Sequence, residues 1–493
     1  MREAEFLRER YRAMFASLGV ILLLTGGLTL VPLLLLITYP EELPHAPAFL
    51  IPATMQMMAG GVLWRWLRFR NMTLAVAEGG VVATLSWIVV ILFSAIPFIM
   101  IEGLHFQAAV FESTSGWTAT GMTVINVDMA SPMTLFWRSF LQYIGGAGLA
   151  IIMLSALVGV AGTGITNAEG REHQLLPQVH KSAQLVLIIY LVYGFCGTLA
   201  LTIAGMPWFD AMNHAFTAIA TGGFSSVSGN FSVWNSLVVE VITIVLMLLG
   251  SLSFLTAWML LRGQFRAVIN CAEVQYVLVV LPVSVLLLAG LTFMPVYGDF
   301  LIAFRHACFE AASVITTTGF STVPFSTWNS FGIALMIVLM VIGGGTCSTA
   351  GGIKQVRACM VLSLIRRELR QMTHPRNEII ECSIPNGRHR LYIDDVAARR
   401  CLIFVMLYLL TIVAGTLVVS ACGFSFTDSL FEVTAAMTSM GTTNDTTSAE
   451  MPLPAIWTLI VTMVLGRLEI LVVFAAFMKL AADTRQRIRL TRR

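Results

Sequence analysis

Ser, Thr and Gly gather in four short stretches of this 493-residue chain, each ending at a glycine: SGWTATG at Gly121, FTAIATGG at Gly223, SVITTTG at Gly319 and AAMTSMG at Gly441. Side chains of these types supply no strong acid, base or nucleophile. What they leave available is backbone: rings of carbonyl oxygens replace the water around a dehydrated cation. Glycine suits that task, because the carbonyls must line up in conformations that a Cβ resists. The candidate ligands are the carbonyls of Thr118, Ala119, Thr120 and Gly121, of Ala220, Thr221, Gly222 and Gly223, of Thr316, Thr317, Thr318 and Gly319, and of Thr438, Ser439, Met440 and Gly441. One such stretch alone would read as a close-packing face between membrane helices, which favour small residues.

Matched offsets argue for more than packing. Phe-Glu stands ten and nine residues before the glycine in three copies (Phe111-Glu112, Phe309-Glu310, Phe431-Glu432), and Asn213-His214 takes its place in the second. A second motif follows each glycine: IGGAG from Ile144, LGSLS from Leu249, IGGGT from Ile342 and LGRLE from Leu465. Glycine-to-glycine gaps run 121 to 145, 223 to 250, 319 to 343 and 441 to 466, or 24, 27, 24 and 25 residues. One unit therefore occurs four times at a period of roughly a hundred residues, long for a solenoid array.

Elements able to position these stretches must lie in a membrane. The chain is 57% hydrophobic and 12% charged, against about 25% charged in a soluble protein. Each repeat reads as a first helix, an outer turn, a half-length helix, a glycine hairpin and a second helix. The helices are expected near 74–101 and 132–159 (half-helix 105–118), 183–206 and 233–261, 275–294 and 330–357, and 402–423 and 454–481. Ala13 to Pro40 and Ala46 to Leu63 form an additional N-terminal hairpin. The expected architecture is an all-α polytopic membrane protein. Four pseudo-symmetric helix–pore-loop–helix repeats surround a central ion pathway, with the two-helix hairpin beside them. Ten full spans and four re-entrant loops result. The units are 1–72, 73–165, 174–267, 268–364, a basic loop 365–400, and 401–493.

Basic residues cluster at the N-terminus, at 65–70, at Arg171 and Lys181, at Arg262 and Arg266, from Lys354 to Arg400, and after Lys479. Acids (Glu41, Glu42, Glu102, Asp128, Asp299, Asp428, Asp445, Glu450) mark the opposite turns, with Arg305 the main exception. By the positive-inside rule both termini are cytoplasmic and the hairpins dip in from outside. The half-helices then direct their C-terminal, partly negative ends at mid-membrane, which favours a cation.

Two features break the repeat. Residues 343–352 (Gly343, Gly344, Gly345, Thr346, Cys347, Ser348, Thr349, Ala350, Gly351, Gly352) set five glycines in what should be mid-span. Each glycine costs a helix about 1 kcal/mol, so this stretch is expected to be unwound and is a candidate gate. The glycines at 145–148 read as close packing. The fourth repeat places Arg467 where the others have Gly146, Ser251 and Gly344. An arginine at that depth faces a bundle interior or an aqueous path. Its expected place is across the axis below the hairpins, with a buried salt bridge as the rival reading.

Enzyme signatures are missing: the chain has no GxxxxGK[ST], HExxH, GxSxG or CxxC, its eight histidines are isolated, and its eight cysteines are scattered singly. No organic cofactor and no nucleic-acid partner is indicated. The 365–400 segment is rich in arginine, which suits either anionic lipid headgroups or a soluble partner.

The ordered set FESTSGWTATGMT, AFTAIATGGFSS, FEAASVITTTGFST, FEVTAAMTSMG, GGGTCSTAGGIK and GRLE resembles the Trk/Ktr/HKT superfamily of potassium transporters along essentially the whole chain. It is most similar to the bacterial TrkH/TrkG branch, which the N-terminal hairpin also suggests. The resemblance implies potassium as the substrate ion, a homodimer in the bacterial inner membrane, and gating by a cytosolic nucleotide-binding TrkA-type ring. It maps filter glycines onto Gly121, Gly223, Gly319 and Gly441, a gating loop onto 343–352, and a pore arginine onto Arg467. Departures are Thr442, where TrkH relatives often have proline, and Cys347 and Ala350 in the loop. A different class, an alternating-access transporter with broken helices at mid-membrane, would show two inverted halves rather than four parallel repeats.

Overall fold

The computed structural model describes residues 2–67, 75–148, 179–373, 381–387, 389–444 and 446–491. The end of the expected helix 132–159, the boundaries near 72, 165 and 174, and Arg68, Arg70, Arg171, Arg376, Glu378, Arg388 and Asp445 lie outside them, as does the Lys181 side chain.

Helix Arg2–Thr29 runs on through a 3-10 turn at Val31–Ile37, and a second 3-10 turn at Pro40–His45 leads into helix Ala46–Leu67. These two helices touch backbone to backbone. A Cβ on Gly19 would stand 2.7 Å from the Trp64 nitrogen and 2.8 Å from the Gly60 oxygen. Small residues allow that approach between membrane helices. Buried Thr25 and Gln56 add an interhelical hydrogen bond of 2.8 Å.

The first helices of the repeats are Val76–Ser94 with Ile96–Glu102, Val179–Ile203, Ala272–Leu288 prolonged to Tyr297, and Asp395–Ala421. The half-helices are Phe106–Trp117, Trp208–Ile219, Phe300–Ile315 and Phe426–Thr438. Local sequence fixes where several helices begin. Ser131, Asp299, Asn329, Asp394 and Ser425 each accept a hydrogen bond from a backbone amide two or three residues on, satisfying donors that a helix start leaves unpaired. The half-helices occupy the centre of the molecule, with Phe111, Phe309 and Phe431 fully buried.

The second helices differ from expectation. Those expected as single spans over 233–261 and 454–481 are broken: Leu237–Ser251 and Phe254–Leu261 meet at 117°, and Leu453–Leu468 and the helix from Ile470 at 99°. Pro132–Ala147 ends at Gly148, which is left-handed (φ 57°). Ser330–Ile342 ends at Gly343 (φ 71°), and helix Gln355–Gln371 starts after the unwound stretch. All four breaks thus fall at the second matched motif. In the second repeat, extended Ser253 caps a new helix by accepting from the Thr256 amide. In the fourth, Glu469 takes a left-handed φ of 60°. Among the described residues six helices are long and apolar enough to cross a membrane, or eight counting each bent pair; the end of the expected span 132–159 lies outside them. Ser330–Ile342, at 13 residues, is too short to cross alone, since a span needs about 20.

The expected loop 365–400 is also mostly ordered. Helix Gln355–Gln371 fills its start, helix Asp395–Ala421 its end, and strands Ser383–Asn386 and His389–Tyr392 pair antiparallel between them. The described residues are thus overwhelmingly helical, as expected, with one small β-hairpin among them. Asn386 pairs with His389, and Gly387 between them opens the turn with a left-handed φ of 66°, which suits a glycine at the first position of a tight hairpin loop. The hairpin docks on the start of the third repeat: Cys271 bridges Asn386, and the Gly387 amide donates to the Asn270 oxygen (3.3 Å).

Candidate ion pathway

Each half-helix ends in the same way. The amides of Ala119, Thr221, Thr317 and Ser439 donate three residues back, to Gly116, Ala218, Val314 and Ala436. The next amides, of Thr120, Gly222, Thr318 and Met440, donate five back, to Ser115, Thr217, Ser313 and Ala435. This is a Schellman end, which places its turning residue in the left-handed region. That residue is normally glycine. Here it is Ala119 (φ 52°), Thr221 (50°), Thr317 (54°) and Ser439 (53°). A non-glycine residue held there stores strain of about 1–3 kcal/mol, and the strain recurs at all four matched positions.

Two residues on, Gly121, Gly223 and Gly319 turn left-handed again (φ 95°, 77° and 85°). Gly441 is absent from that set, so at the fourth position glycine is needed for space rather than for φ. A Cβ on Gly121 would overlap the Gly222 oxygen and lie 3.0 Å from the Gly441 Cα. One on Gly223 would overlap the Thr318 oxygen, one on Gly319 would lie 2.9 Å from the Gly441 Cα, and one on Gly441 2.7 Å from the Thr120 oxygen. First hairpin meets second, second meets third, third meets fourth and fourth meets first: a closed ring of backbone. Thr118, Thr120, Thr316, Thr318 and Thr438 are fully buried in it. Among the candidate carbonyls, Ala220 accepts from the Thr221 hydroxyl (2.7 Å), Gly222 from Gln142 (2.8 Å) and Gly319 from Thr442 (3.2 Å). A carbonyl has two lone pairs, so each keeps one. A proline at 442 could not donate this bond.

The return strands are stapled by the Phe-Glu motif. Glu112 accepts from the Thr123 hydroxyl (3.0 Å) and the Val124 amide (3.0 Å). Glu310 does so from Ser321 (2.8 Å) and the Thr322 amide (2.7 Å), and Glu432 from Thr443 (2.6 Å) and the Asn444 amide (3.0 Å). His214 meets Ser225 likewise (3.1 Å). The partner always carries a hydroxyl eleven residues on. That regularity is present in the sequence. The first copy adds a buried ion pair, Arg138 to Glu112 at 2.6 Å, with the guanidinium 4.1 Å over the Phe224 ring. At the outer rim, Asp128 accepts from the Ser228 hydroxyl (2.6 Å) and amide (3.2 Å), bonds that hold its carboxyl below the usual range.

Below the ring the second helices arrive. A Cβ on Gly145, Gly250 or Gly466 would overlap the carbonyl oxygen of Trp117, Ile219 or Met437, four residues before each ring glycine. The packing expected at 145–148 is thus a contact with the tip of the half-helix. In the third repeat the matched glycine, Gly343, turns into the unwound stretch instead. This stretch crosses beneath the hairpins. Its Gly345 amide donates to Ser251 (2.9 Å), its Gly351 amide to the Thr317 hydroxyl (2.8 Å), and its Thr349 hydroxyl to the oxygens of Ile219 (3.0 Å) and Gly250 (2.9 Å). Thr349 and Ala350 are fully buried.

Arg467 reaches this stretch from the fourth repeat. It donates to the Thr349 oxygen (2.6 Å) and, on the far side, to the oxygens of Gly145 (2.7 Å) and Gly146. The guanidinium therefore bridges the third repeat's loop to the first repeat. Glu469 turns away and pairs with Arg357 (2.9 Å). Lys354 donates to the Ala350 oxygen from below. Arg467, Lys354, Glu469, Cys347 and Phe404 line a cavity under the loop.

Comparison with known proteins places this arrangement. Over 478 residues, 95% of both chains, the sequence is 30% identical to an uncharacterised cation transporter of Methanocaldococcus jannaschii. It is 29% identical to the Trk system potassium uptake protein TrkH of Halomonas elongata (94% of this chain, 98% of the relative) and to that of Escherichia coli K12 (95% and 98%). The crystal structure of the potassium transporter TrkH from Vibrio parahaemolyticus superposes with a TM-score of 0.82 at 25% identity, covering 95% of this chain and 98% of that one. The family model described as TrkH, cation transport protein, matches residues 45–486, so the chain belongs to the TrkH family.

Proposed function

We propose that this protein takes up potassium across the bacterial inner membrane along the axis of the four hairpins. The ion sheds water onto the carbonyls of 118–121, 220–223, 316–319 and 438–441, and the 343–352 loop with Arg467 closes the path below. The observation that carries this reading is the closed ring of hairpin backbone standing directly over a loop that Arg467 ties to the first repeat. The identity of the ion comes from the relatives, which are named for potassium uptake. A half-buried guanidinium under the ring adds a fixed positive charge where a cation would leave, and with it a barrier. Both termini face the cytoplasm in this reading. A homodimer and a TrkA-type nucleotide-binding ring complete the system, the ring docking on helix Gln355–Gln371, which continues directly from the loop.

The test is ion-replacement flux with purified protein in liposomes. Potassium flux well above sodium flux under equal gradients supports the reading. Equal permeability to the two ions overturns the filter assignment. For docking, changing Arg366, Arg367 and Arg370 to Ala lowers capture of the TrkA-type ring; unchanged capture removes this helix as the dock.

A further inference from the structure

A groove of about 810 Å³ opens at the arginine-rich end of the molecule, remote from the axis, between the N-terminal helix, the end of the second helix and the C-terminal helix. Its rim carries Arg8, Arg12 and Arg487, and its wall carries Phe15, Leu67 and Leu480. Arg8 and Arg12 are one turn apart on the same helix face, with Phe15 about 4.5 Å deeper along the axis at 1.5 Å per residue. Leu480 and Arg487 stand two turns apart on the facing helix. Both walls thus pass from charged to apolar in the same direction, into the span Glu5–Ile37.

One acid, Asp483, lies in the groove, and it is already engaged. It is buried, accepts from Lys479 at 2.6 Å and takes the Tyr11 hydroxyl at 3.1 Å. Glu78, the nearest acid on the third helix, pairs with Arg10 at 2.7 Å. Asp483 is thus engaged by Lys479 and Tyr11, and Arg8, Arg12 and Arg487 line the same groove. The helix face presents them above an aromatic ring that is 39% exposed.

We propose that this groove binds one anionic phospholipid, its phosphate held by Arg8, Arg12 and Arg487 and the start of its acyl chains laid along Phe15, Leu67 and Leu480. The charge selects an anion. The graded wall selects one with an apolar tail, since a free phosphate would leave Phe15 and Leu480 uncovered. Basic pockets between membrane helices are the usual receptors for such headgroups. The inference does not depend on the ion pathway, and its test reads no flux.

The experiment is native mass spectrometry of the full chain released from detergent, titrated with phosphatidylglycerol, with phosphatidylcholine of the same chains, or with inorganic phosphate. The wild-type protein retains phosphatidylglycerol selectively. R8Q/R12Q/R487Q loses affinity by roughly fivefold per arginine, as expected for about 1 kcal/mol each. R8K/R12K/R487K, which keeps the charge, retains most of it. R262Q/R266Q, on another part of the surface, matches wild type. Thermal melting without lipid checks that each variant is folded. Equal retention of phosphatidylcholine, displacement of the lipid by phosphate alone, unchanged binding in the glutamine triple variant, or equal loss in the 262/266 control would each overturn the site.

Discussion

The hairpins and the loop beneath them are both irregular backbone in the middle of a membrane bundle, yet they satisfy their hydrogen bonds in opposite ways. Each hairpin closes on its own segment: the Schellman amides return to the half-helix, and an acid in that helix, or His214 in the second, binds the strand coming back. The loop keeps a few bonds of its own, such as Gly344 to Gly351 and Ser348 to Gly345, but is held to other segments through Ser251, Gly250, Ile219, Thr317 and Arg467. Lipid cannot satisfy stray backbone groups, so both solutions are forced, but they differ in what they permit. A hairpin cannot move without breaking its own fold. The loop can exchange its partners while its own segment stays intact. Rigidity above and exchangeability below suit a fixed filter over a movable gate.

The comparison breaks most visibly if the hairpins are not rigid. Glu112→Gln removes the counter-charge of Arg138, which is 1% exposed. Stranding a buried charge costs about 3–5 kcal/mol, so a large loss of thermal stability is expected, and little change would sink the staple. Gly223→Ala comes next, because it meets both a left-handed φ and the Thr318 oxygen. Overpacking and strain together cost about 2–4 kcal/mol, and potassium selectivity in liposomes should fall toward unity. Gly103→Ala is the control: also left-handed (φ 64°) but with open space around it, it should cost about 1–2 kcal/mol and leave selectivity alone.

On the loop side the sign reverses. Arg467→Ala deletes the bridge between Thr349 and Gly145, bonds worth about 1.5–3 kcal/mol each when charged. Basal flux per folded molecule should rise about tenfold or more with selectivity unchanged; lower flux in a stable protein would refute the gate. Arg467→Lys sharpens this. On charge alone it should behave like wild type, but an ammonium cannot reach both sides of the axis as the guanidinium fork does. Flux between wild type and Ala is expected, and full restoration would make charge rather than bridging decisive. The smallest effect is Glu469→Gln. Its pair with Arg357 is partly exposed and worth about 1 kcal/mol or less, so stability should barely change.

Much of this is legible in the sequence. The four glycines at matched offsets, the half-helix expected at 105–118 and found at Phe106–Trp117, and the five glycines of 343–352 each left a pattern that local chemistry can read. The breaks at 251–253 and 469 left almost none. Ser253 caps a helix inside what reads as one apolar run, and Glu469 is left-handed without being glycine. Gly387 does mark a tight turn, but among so many arginines the segment reads as a solvated loop. The partners of Arg467 lie out of reach of sequence reasoning altogether: the Gly145 carbonyl is 322 residues away, and only the ring brings it near.

That ring has a consequence for how the protein is made. Its last two joints, Gly319 to Gly441 and Gly441 to Gly121, unite the ends of a chain that the ribosome delivers from one end to the other. Until the fourth hairpin has been inserted, the first three form an open arc with no enclosed path, and the arginine that pins the loop has not yet been synthesised. In the proposed reading the pathway and its gate therefore come into being together, within the final stretch of translation. A ribosome stalled anywhere before Gly441 leaves a fragment without the closed ring.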